Sequence, residues 1–506
     1  MKFYKDHYEA VIIGAGLAGL ACALSLQKAG IKDILILEKN NLPGGLATTF
    51  VRNGFEFEAT LHELMGVGTE EKPGTTGRLF QEMGVPVEWL QVPECYRLSV
   101  PDEGIDVTLH DGYERAAREI DEACPGSYES VLEFFRFSRR LCDVMNMLGG
   151  KPGSRGTLRG TVEFARMIRY SADEAMTAFG LPERARKLLS PYWLYLGNKL
   201  EDLPFVIYAL LLAEYFEGSH IAKGFSYEMG IRMAERAEMN GAQIEYRQPV
   251  EKILVKEGKV CGVRTVRGDE IRCDTVVSGA YPDKVYTKMI EPLSEVPEAA
   301  LRLVNAKHLS LTPLSVYLIL EGTPEELGFT SYCTISSDTM DTAELFENLG
   351  QLGQPYRYLT SVCLNLANPE CVPQGYTQFS ITVLPRIDVF SGVKEEEYYS
   401  LKRKLADELI GTFLRQTGVP DFRNRIVEIE VGTPMTASRY FGAFKGCVYG
   451  YLHSMSDHVV ARTLAGKKEH FIKGLVFAGA HCADGDGLAP ALTNGTNAAK
   501  EVLRTR

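Results

Sequence analysis

The stretch Val11–Ala47, VIIGAGLAGLACALSLQKAGIKDILILEKNNLPGGLA, restricts the possible folds more than any other part of the chain. An apolar strand runs into the turn Gly14-Ala15-Gly16-Leu17-Ala18-Gly19, followed by an apolar helix and a second strand that ends at Glu38-Lys39. This G-x-G-x-x-G order gives each glycine a task. Gly14 allows the sharp turn, Gly16 lets the backbone approach a pyrophosphate, and Gly19 lets the helix pack closely on the sheet. The unpaired N–H groups and positive dipole end of the helix then face the phosphates. Glu38, 19 residues after Gly19, can accept both hydroxyls of an adenosine ribose and would repel a 2′-phosphate, which argues against NADP.

A second glycine pair follows in Pro43-Gly44-Gly45-Leu46-Ala47, and then a hairpin turning at Asn53-Gly54. Nicotinamide dehydrogenases do not carry this pair and hairpin at this point. A longer dinucleotide such as FAD needs further backbone amides there. Farther along, Val250-Glu-Lys-Ile-Leu-Val-Lys, Lys259–Val266 and Glu270–Asp274 read as a three-strand meander turning at Glu257-Gly258 and Arg267-Gly268. A further strand, Thr275–Ala280, follows it. Such a meander suits an FAD domain, with the Val250 backbone at the adenine edge.

The remaining pattern defines a second domain. Helical periodicity covers Tyr113–Ala123, Tyr128–Met147, Val162–Tyr170 and Pro204–Phe216, and strands alternate with a few helices between 290 and 455. The apolar run in Leu203–Ala213 reads as a buried core helix, or more sharply as a tunnel lining or membrane contact. The expected architecture is α/β: a discontinuous Rossmann-like FAD-binding domain (residues 1–70, 220–290 and 455–506) plus an α+β substrate domain with a mixed sheet and a helical cap (71–219 and 291–454). At 506 residues the chain exceeds what one core usually holds. The tail from Gly474 reads as a strand, a loop and a final helix with Pro490 near its start. It brings Gly479, Ala480, Asp486, Gly487, Leu488 and Ala491 to the cofactor, and the helix end can favour negative charge on a reduced flavin.

A net charge of −11 argues against nucleic acid. Eleven cysteines without a C-x-x-C pair indicate reduced thiols and no metal site. The first strand starts so early that no secretion signal is expected, and no apolar run is long enough to span a bilayer. The expected location is cytoplasmic.

With these pieces in place, the chain resembles the phytoene desaturase, carotenoid isomerase and retinol saturase group of the flavin amine oxidase superfamily, over its whole length. The resemblance rests on Val11–Ala47 and on Gly54-Phe-Glu-Phe-Glu58-Ala-Thr60-Leu61-His62, where Glu58 and Thr60 replace an aspartate and a glycine. It also rests on Gly218–Ser226, on Gly432-Thr-Pro434-Met-Thr436 with Lys445–Gly450, and on the tail. It implies non-covalently held FAD and redox or isomerase chemistry on carbon–carbon bonds of a long apolar polyene or lipid-like molecule. Such a substrate implies transient contact with a membrane surface. Desaturation, saturation and isomerisation would use the same flavin and cavity. No second dinucleotide fingerprint is present, so the electron donor or acceptor stays open, as does the oligomeric state.

Candidates for chemistry are His62, which with Leu61 passes the flavin, Lys223 by family analogy, and Arg439 and Tyr440 toward substrate. Glu63 is expected to be a solvated or ion-paired carboxylate, and Cys447 a non-covalent neighbour of the flavin. Two other readings remain: an amine or amino-acid oxidase, and a prenyl- or lipid-binding escort protein that uses the fold without flavin.

Overall fold

The computed structural model describes residues 4–505 except 61, 152, 467–470, 484 and 486. The apolar strand Tyr8–Ile13 lies inside an eight-stranded sheet, parallel to Ile34–Leu37 on one side and to Glu270–Ser278 on the other. Val11 stands opposite both Leu35 and Val276. Burial on both faces explains why these strands read as continuous apolar runs rather than alternating ones. Gln243–Glu245 extends the sheet beyond Ile34–Leu37, and Leu475–Phe477 pairs in parallel with Glu270–Ser278. One sheet is therefore built from three separated parts of the chain.

The meander differs from expectation in one respect. Glu270–Asp274 and Thr275–Ala280 are one strand, Glu270–Ser278. Its first residues pair antiparallel with Lys259–Thr265, and the rest pairs parallel with Tyr8–Ile13. Changing partner midway needs no turn.

Helix Leu17–Lys28 is buried nearly all round. It packs against the C-terminal helix Leu488–Thr505 so closely that a Cβ on Gly495 would stand 2.2 Å from the Ala18 carbonyl oxygen. Leu79, Phe80 and Val85 join this core although they follow the boundary expected at residue 70. Helix Thr75–Met83, which carries the first two, packs against helices Leu17–Lys28 and Leu488–Thr505.

The second unit is a seven-stranded sheet in the order Ile426–Gly432, Leu314–Glu321, Tyr376–Val383, Tyr358–Cys363, Cys333–Ser337, Tyr96–Val100, Ile105–Leu109. It is antiparallel except for the contact between Cys333–Ser337 and Tyr96–Val100. Helices Tyr128–Leu148, Leu158–Met167 and Phe205–Tyr215 pack in the same apolar core. Leu158–Met167 starts earlier than its apolar spacing suggested, because Thr157 caps it by accepting the Gly160 N–H. Phe205–Tyr215 is apolar but for Glu214 and the two tyrosines and is buried along almost its whole length, as a helix without a polar face must be. Hairpin Thr49–Arg52/Phe55–Glu58 turns through Asn53 and Gly54 at φ 47° and 87°. Those are the two left-handed positions that Asn-Gly supplies most cheaply.

Candidate active site

A single cavity of about 1020 Å³ runs from the Gly14–Gly19 turn to the helices of the second unit, at the upper end of the range for ligand sites. At its nucleotide end no side chain caps helix Leu17–Lys28, so its first N–H groups are available to an anion. Gly14 holds φ +100°, with nothing within 4 Å of where its Cβ would stand. Gly44 donates to the Ala15 carbonyl at 2.8 Å, and a Cβ on Gly45 would lie 3.0 Å from the Gly16 Cα. The two glycine turns therefore touch backbone to backbone, which only glycine allows here.

Glu38 is 4% exposed. One oxygen accepts the Ala15 N–H and the other the Asn40 N–H, each at 2.8 Å. A carboxylate has about four acceptor positions, so roughly half remain for ribose hydroxyls at the cavity wall. Lys39, Leu46, Val250, Gly479, Ala480, Gly487, Leu488 and Ala491 line the same cavity, as do Leu17, Ala18 and Gly19. Ala15 and Ala47 do not. Both are fully buried and hold the turns through their amides, Ala15 to Glu38 and Ala47 to the Gly44 carbonyl. Leu61, Asp484 and Asp486 lie outside the described residues.

Past the hairpin, the cavity floor is one face of the seven-stranded sheet. Ser315 and Tyr317, Thr360 and Val362, and Gln378, Ser380 and Thr382 line it at the period of two that a strand imposes. The roof is apolar, with Met145, Phe164, Ile207, Leu210 and Leu211 from three helices. Of the two sharper readings of the Leu203–Ala213 run, the tunnel lining is the one the fold adopts. Tyr195 and Tyr215 close this end with ring centroids 6.0 Å apart.

His62 and Glu63 sit where the two units meet. The Tyr332 hydroxyl donates to the His62 carbonyl, and the His62 ring meets Tyr195 edge-on at 6.4 Å. Burial lowers the His62 imidazole to about 4, so it is neutral at neutral pH. Glu63 is neither solvated nor ion-paired. It is 5% exposed, and neither carboxyl oxygen makes a well-formed hydrogen bond. Burial raises its carboxyl well above the ordinary range, against the smaller opposing effect of the Tyr192 and Ser219 hydroxyls. The protonated acid is the favoured form. Ser219 and Tyr195 also carry hydroxyls without a well-formed partner. Buried polar groups left in this state call for a ligand or a catalytic role. Sequence spacing gives no signal for Tyr195 or Tyr215, which lie far from the glycine motifs, whereas Ser219 falls inside the Gly218–Ser226 segment without being singled out there.

The other catalytic candidates do not join them. Lys223 does not line the cavity. Its ammonium turns outward to Glu88 at 3.2 Å and Glu370 at 3.7 Å. The neighbouring Ser226 is held instead, since Glu58 accepts its N–H at 2.8 Å and its hydroxyl at 2.6 Å. Arg439 is exposed and lies over the Tyr440 ring. Tyr440 is half exposed on the cavity rim, and the carbonyls of Arg439 and Tyr440 accept from Lys39 and Asn40. Both residues thus sit beside the nucleotide end, away from His62. Cys447 is buried on the cavity wall with its thiol donating to the Gly450 carbonyl at 3.2 Å.

These residues fit an adenine dinucleotide: uncapped helix amides, two glycine turns packed backbone to backbone at Gly16 and Gly45, and a buried carboxylate with acceptor capacity to spare. The comparisons with known proteins agree. The family model for flavin containing amine oxidoreductase matches residues 17–503. A prolycopene isomerase from an Oncidium hybrid cultivar is 24% identical over 98% of this chain and 84% of its own length. An all-trans-retinol 13,14-reductase from Danio rerio is 24% identical over 97% of this chain and 86% of its own. An oxidoreductase from Methanosarcina mazei superposes with a TM-score of 0.64 at 16% identity, covering 97% of this chain and 99% of that one. Together with a site shaped for FAD, this match over nearly the whole length makes the chain a member of the flavin containing amine oxidoreductase family and an FAD-dependent oxidoreductase.

Proposed function

We propose that the enzyme desaturates, saturates or isomerises carbon–carbon bonds of a long apolar polyene or lipid-like substrate. The observation that carries this reading is the cavity itself, which continues without a break from the dinucleotide turns into an arm roofed by Met145, Phe164, Ile207, Leu210 and Leu211. Relatives named for isomerising prolycopene and for reducing all-trans-retinol support it. Eleven cysteines without a C-x-x-C pair favour a reducing compartment such as the cytoplasm.

FAD supplies two-electron chemistry at the substrate carbon when bound. The chain's own residues do the rest. The glycine turns and Glu38 fix one end of the cofactor. The apolar roof orients the hydrocarbon and excludes water, which also keeps His62 neutral. Glu63, held as the acid, can give a proton at its carboxyl oxygen to a substrate carbon or take one back. The Ser219 and Tyr192 hydroxyls lie close enough to stabilise the carboxylate left behind.

The test is anaerobic incubation of the FAD-loaded enzyme with polyenes and unsaturated lipids in detergent, following flavin absorbance and product mass. Bleaching or re-oxidation of flavin coupled to a change of two hydrogens supports desaturation or saturation. Change of geometry at constant mass supports isomerisation. In a parallel aerobic incubation with amines, where O2 can re-oxidise the flavin, peroxide release with no change in any polyene would sink the proposal in favour of amine oxidation.

A further inference from the structure

A polar node interrupts the apolar roof of the cavity. On helix Phe205–Tyr215, Leu210 and Leu211 line the cavity, and Glu214 follows them by four and three positions, which places it on the same face. Glu214 is 3% exposed. One of its oxygens accepts from the Asn146 amide nitrogen at 2.8 Å and from the Cys142 thiol at 3.4 Å. Arg139 reaches that oxygen only at 4.0 Å and is bound more closely by Asp143 and Glu217. Glu214 thereby decides which way the Asn146 amide points. The amide nitrogen gives one N–H to Glu214 and the other to the Cys142 sulfur at 3.3 Å. The Asn146 carbonyl oxygen, Oδ1, is left without a hydrogen-bond partner, in a side chain 1% exposed on the cavity wall. A buried acceptor left in this state calls for a ligand.

Lys151 stands beside it. After helix Tyr128–Leu148 the chain turns back at Gly150, with φ 68°, and the Lys151 N–H donates to the Asn146 main-chain carbonyl at 3.0 Å. The turn is pinned to the C-terminal helix, because the Gly149 and Gly150 carbonyls accept from Asn497 and Lys500, each at 3.2 Å. Lys151 is half-buried, lines the cavity and has no ion pair among the described residues. Burial and Glu214 raise the Cys142 thiol well above its ordinary range, while Arg139 and Lys151 oppose them, so the Lys151 charge acts on this node.

An acceptor lacking a donor and a cation lacking an anion thus share one recess of a cavity with an apolar roof. A hydrocarbon end would leave both unpaired. A carboxylate suits Lys151 but offers no donor to Asn146, and an ammonium suits Asn146 but is repelled by Lys151. A hydroxyl answers both, since its O–H donates to Oδ1 and its lone pairs accept from the ammonium. We propose that Asn146, oriented by Glu214, and Lys151 form a head-group subsite that selects long apolar molecules ending in a hydroxyl over plain hydrocarbons. The proposal deepens the polyene or lipid reading and rests on it, but the subsite is tested by binding, without turnover.

The test is equilibrium dialysis of the full-length, FAD-loaded protein in detergent against labelled oleyl alcohol, its methyl ether, oleate, oleylamine and 9-octadecene. Oleyl alcohol should bind about tenfold more tightly than the ether, which can accept but not donate, and than the hydrocarbon. K151M and N146L should each bring the ratio of alcohol to ether affinity toward one at wild-type FAD content. If N146L, which takes the amide from Glu214, does not fold, K151M still decides. Equal affinity of wild type for alcohol, ether and hydrocarbon, or a wild-type ratio in K151M, would overturn the proposal and leave the apolar substrate reading in place. Oleate or oleylamine binding most tightly would overturn it in favour of an anion or an amine site. Loss of FAD from folded K151M would overturn it by assigning the recess to the cofactor. Failure of every probe to bind would overturn the polyene or lipid reading along with it.

Discussion

Replacing Glu63 by glutamine keeps the shape of the side chain while removing its titration. Because the folded pKa of Glu63 is raised, the native state binds this proton more tightly than the unfolded chain does. The stabilisation is complete below the unfolded value of about 4.3 and is lost as pH rises toward the folded value, at up to about 1.4 kcal/mol per pH unit. Wild type should therefore lose Tm between pH 5 and 8 relative to E63Q, and parallel curves would show that Glu63 ionises freely. If it handles the proton, E63Q should also lower kcat by about 10²-fold or more with FAD absorbance unchanged. His62 has the opposite sign: with its pKa lowered to about 4, its contribution is present above about 6.5 and lost as pH falls below that. At Glu38, the acceptor is what matters. E38Q places an amide against the Ala15 and Asn40 N–H donors and should weaken FAD binding about 10- to 100-fold, read as flavin released on dilution. The position of Glu38 is legible in the sequence, being a fixed step along one strand–helix–strand unit. The protonation of Glu63 is not, because it depends on burial by residues distant in sequence, which outweighs the opposing Tyr192 and Ser219 hydroxyls.

At the scale of elements, close packing of helix Leu17–Lys28 on helix Leu488–Thr505 makes Gly495 a sensitive position. With the Ala18 carbonyl 2.2 Å from a new Cβ, G495V should cost about 1–3 kcal/mol, seen as a lower Tm with flavin lost in the same transition. In the roof, L211W should fill the arm while leaving the nucleotide end untouched. FAD content should stay at wild-type level while KM for the apolar substrate rises, and loss of flavin instead would mean that the arm is not separate from the cofactor site. The elements themselves were readable where they depend on neighbours in sequence, as in the Asn53-Gly54 hairpin and the helix after Gly16. They were misread where a partner decides them, as in Glu270–Ser278, which stays one strand by exchanging one neighbour for another. Lys223 failed for a similar reason: its motif returns the backbone to Glu58, but Glu88 and Glu370 draw the ammonium outward.

For the whole molecule, the nucleotide sheet depends on both ends of the chain, since Leu475–Phe477 completes the strand order begun by Tyr8–Ile13. Removing residues 474–506 should abolish FAD binding and the native fold together, measured by flavin absorbance and circular dichroism, whereas a truncated protein that keeps its flavin would show that the tail is an accessory. What the sequence determined by itself is the cofactor end: turn, helix and acidic residue lie within one short unit, where local geometry suffices to set the chemistry. Only the tertiary structure decided that Glu63 is a buried acid, that the Tyr195 ring meets His62 with Tyr215 beside it, and that the dinucleotide turns open into an apolar arm. Each of these depends on residues from distant segments meeting, and on how much water their meeting excludes.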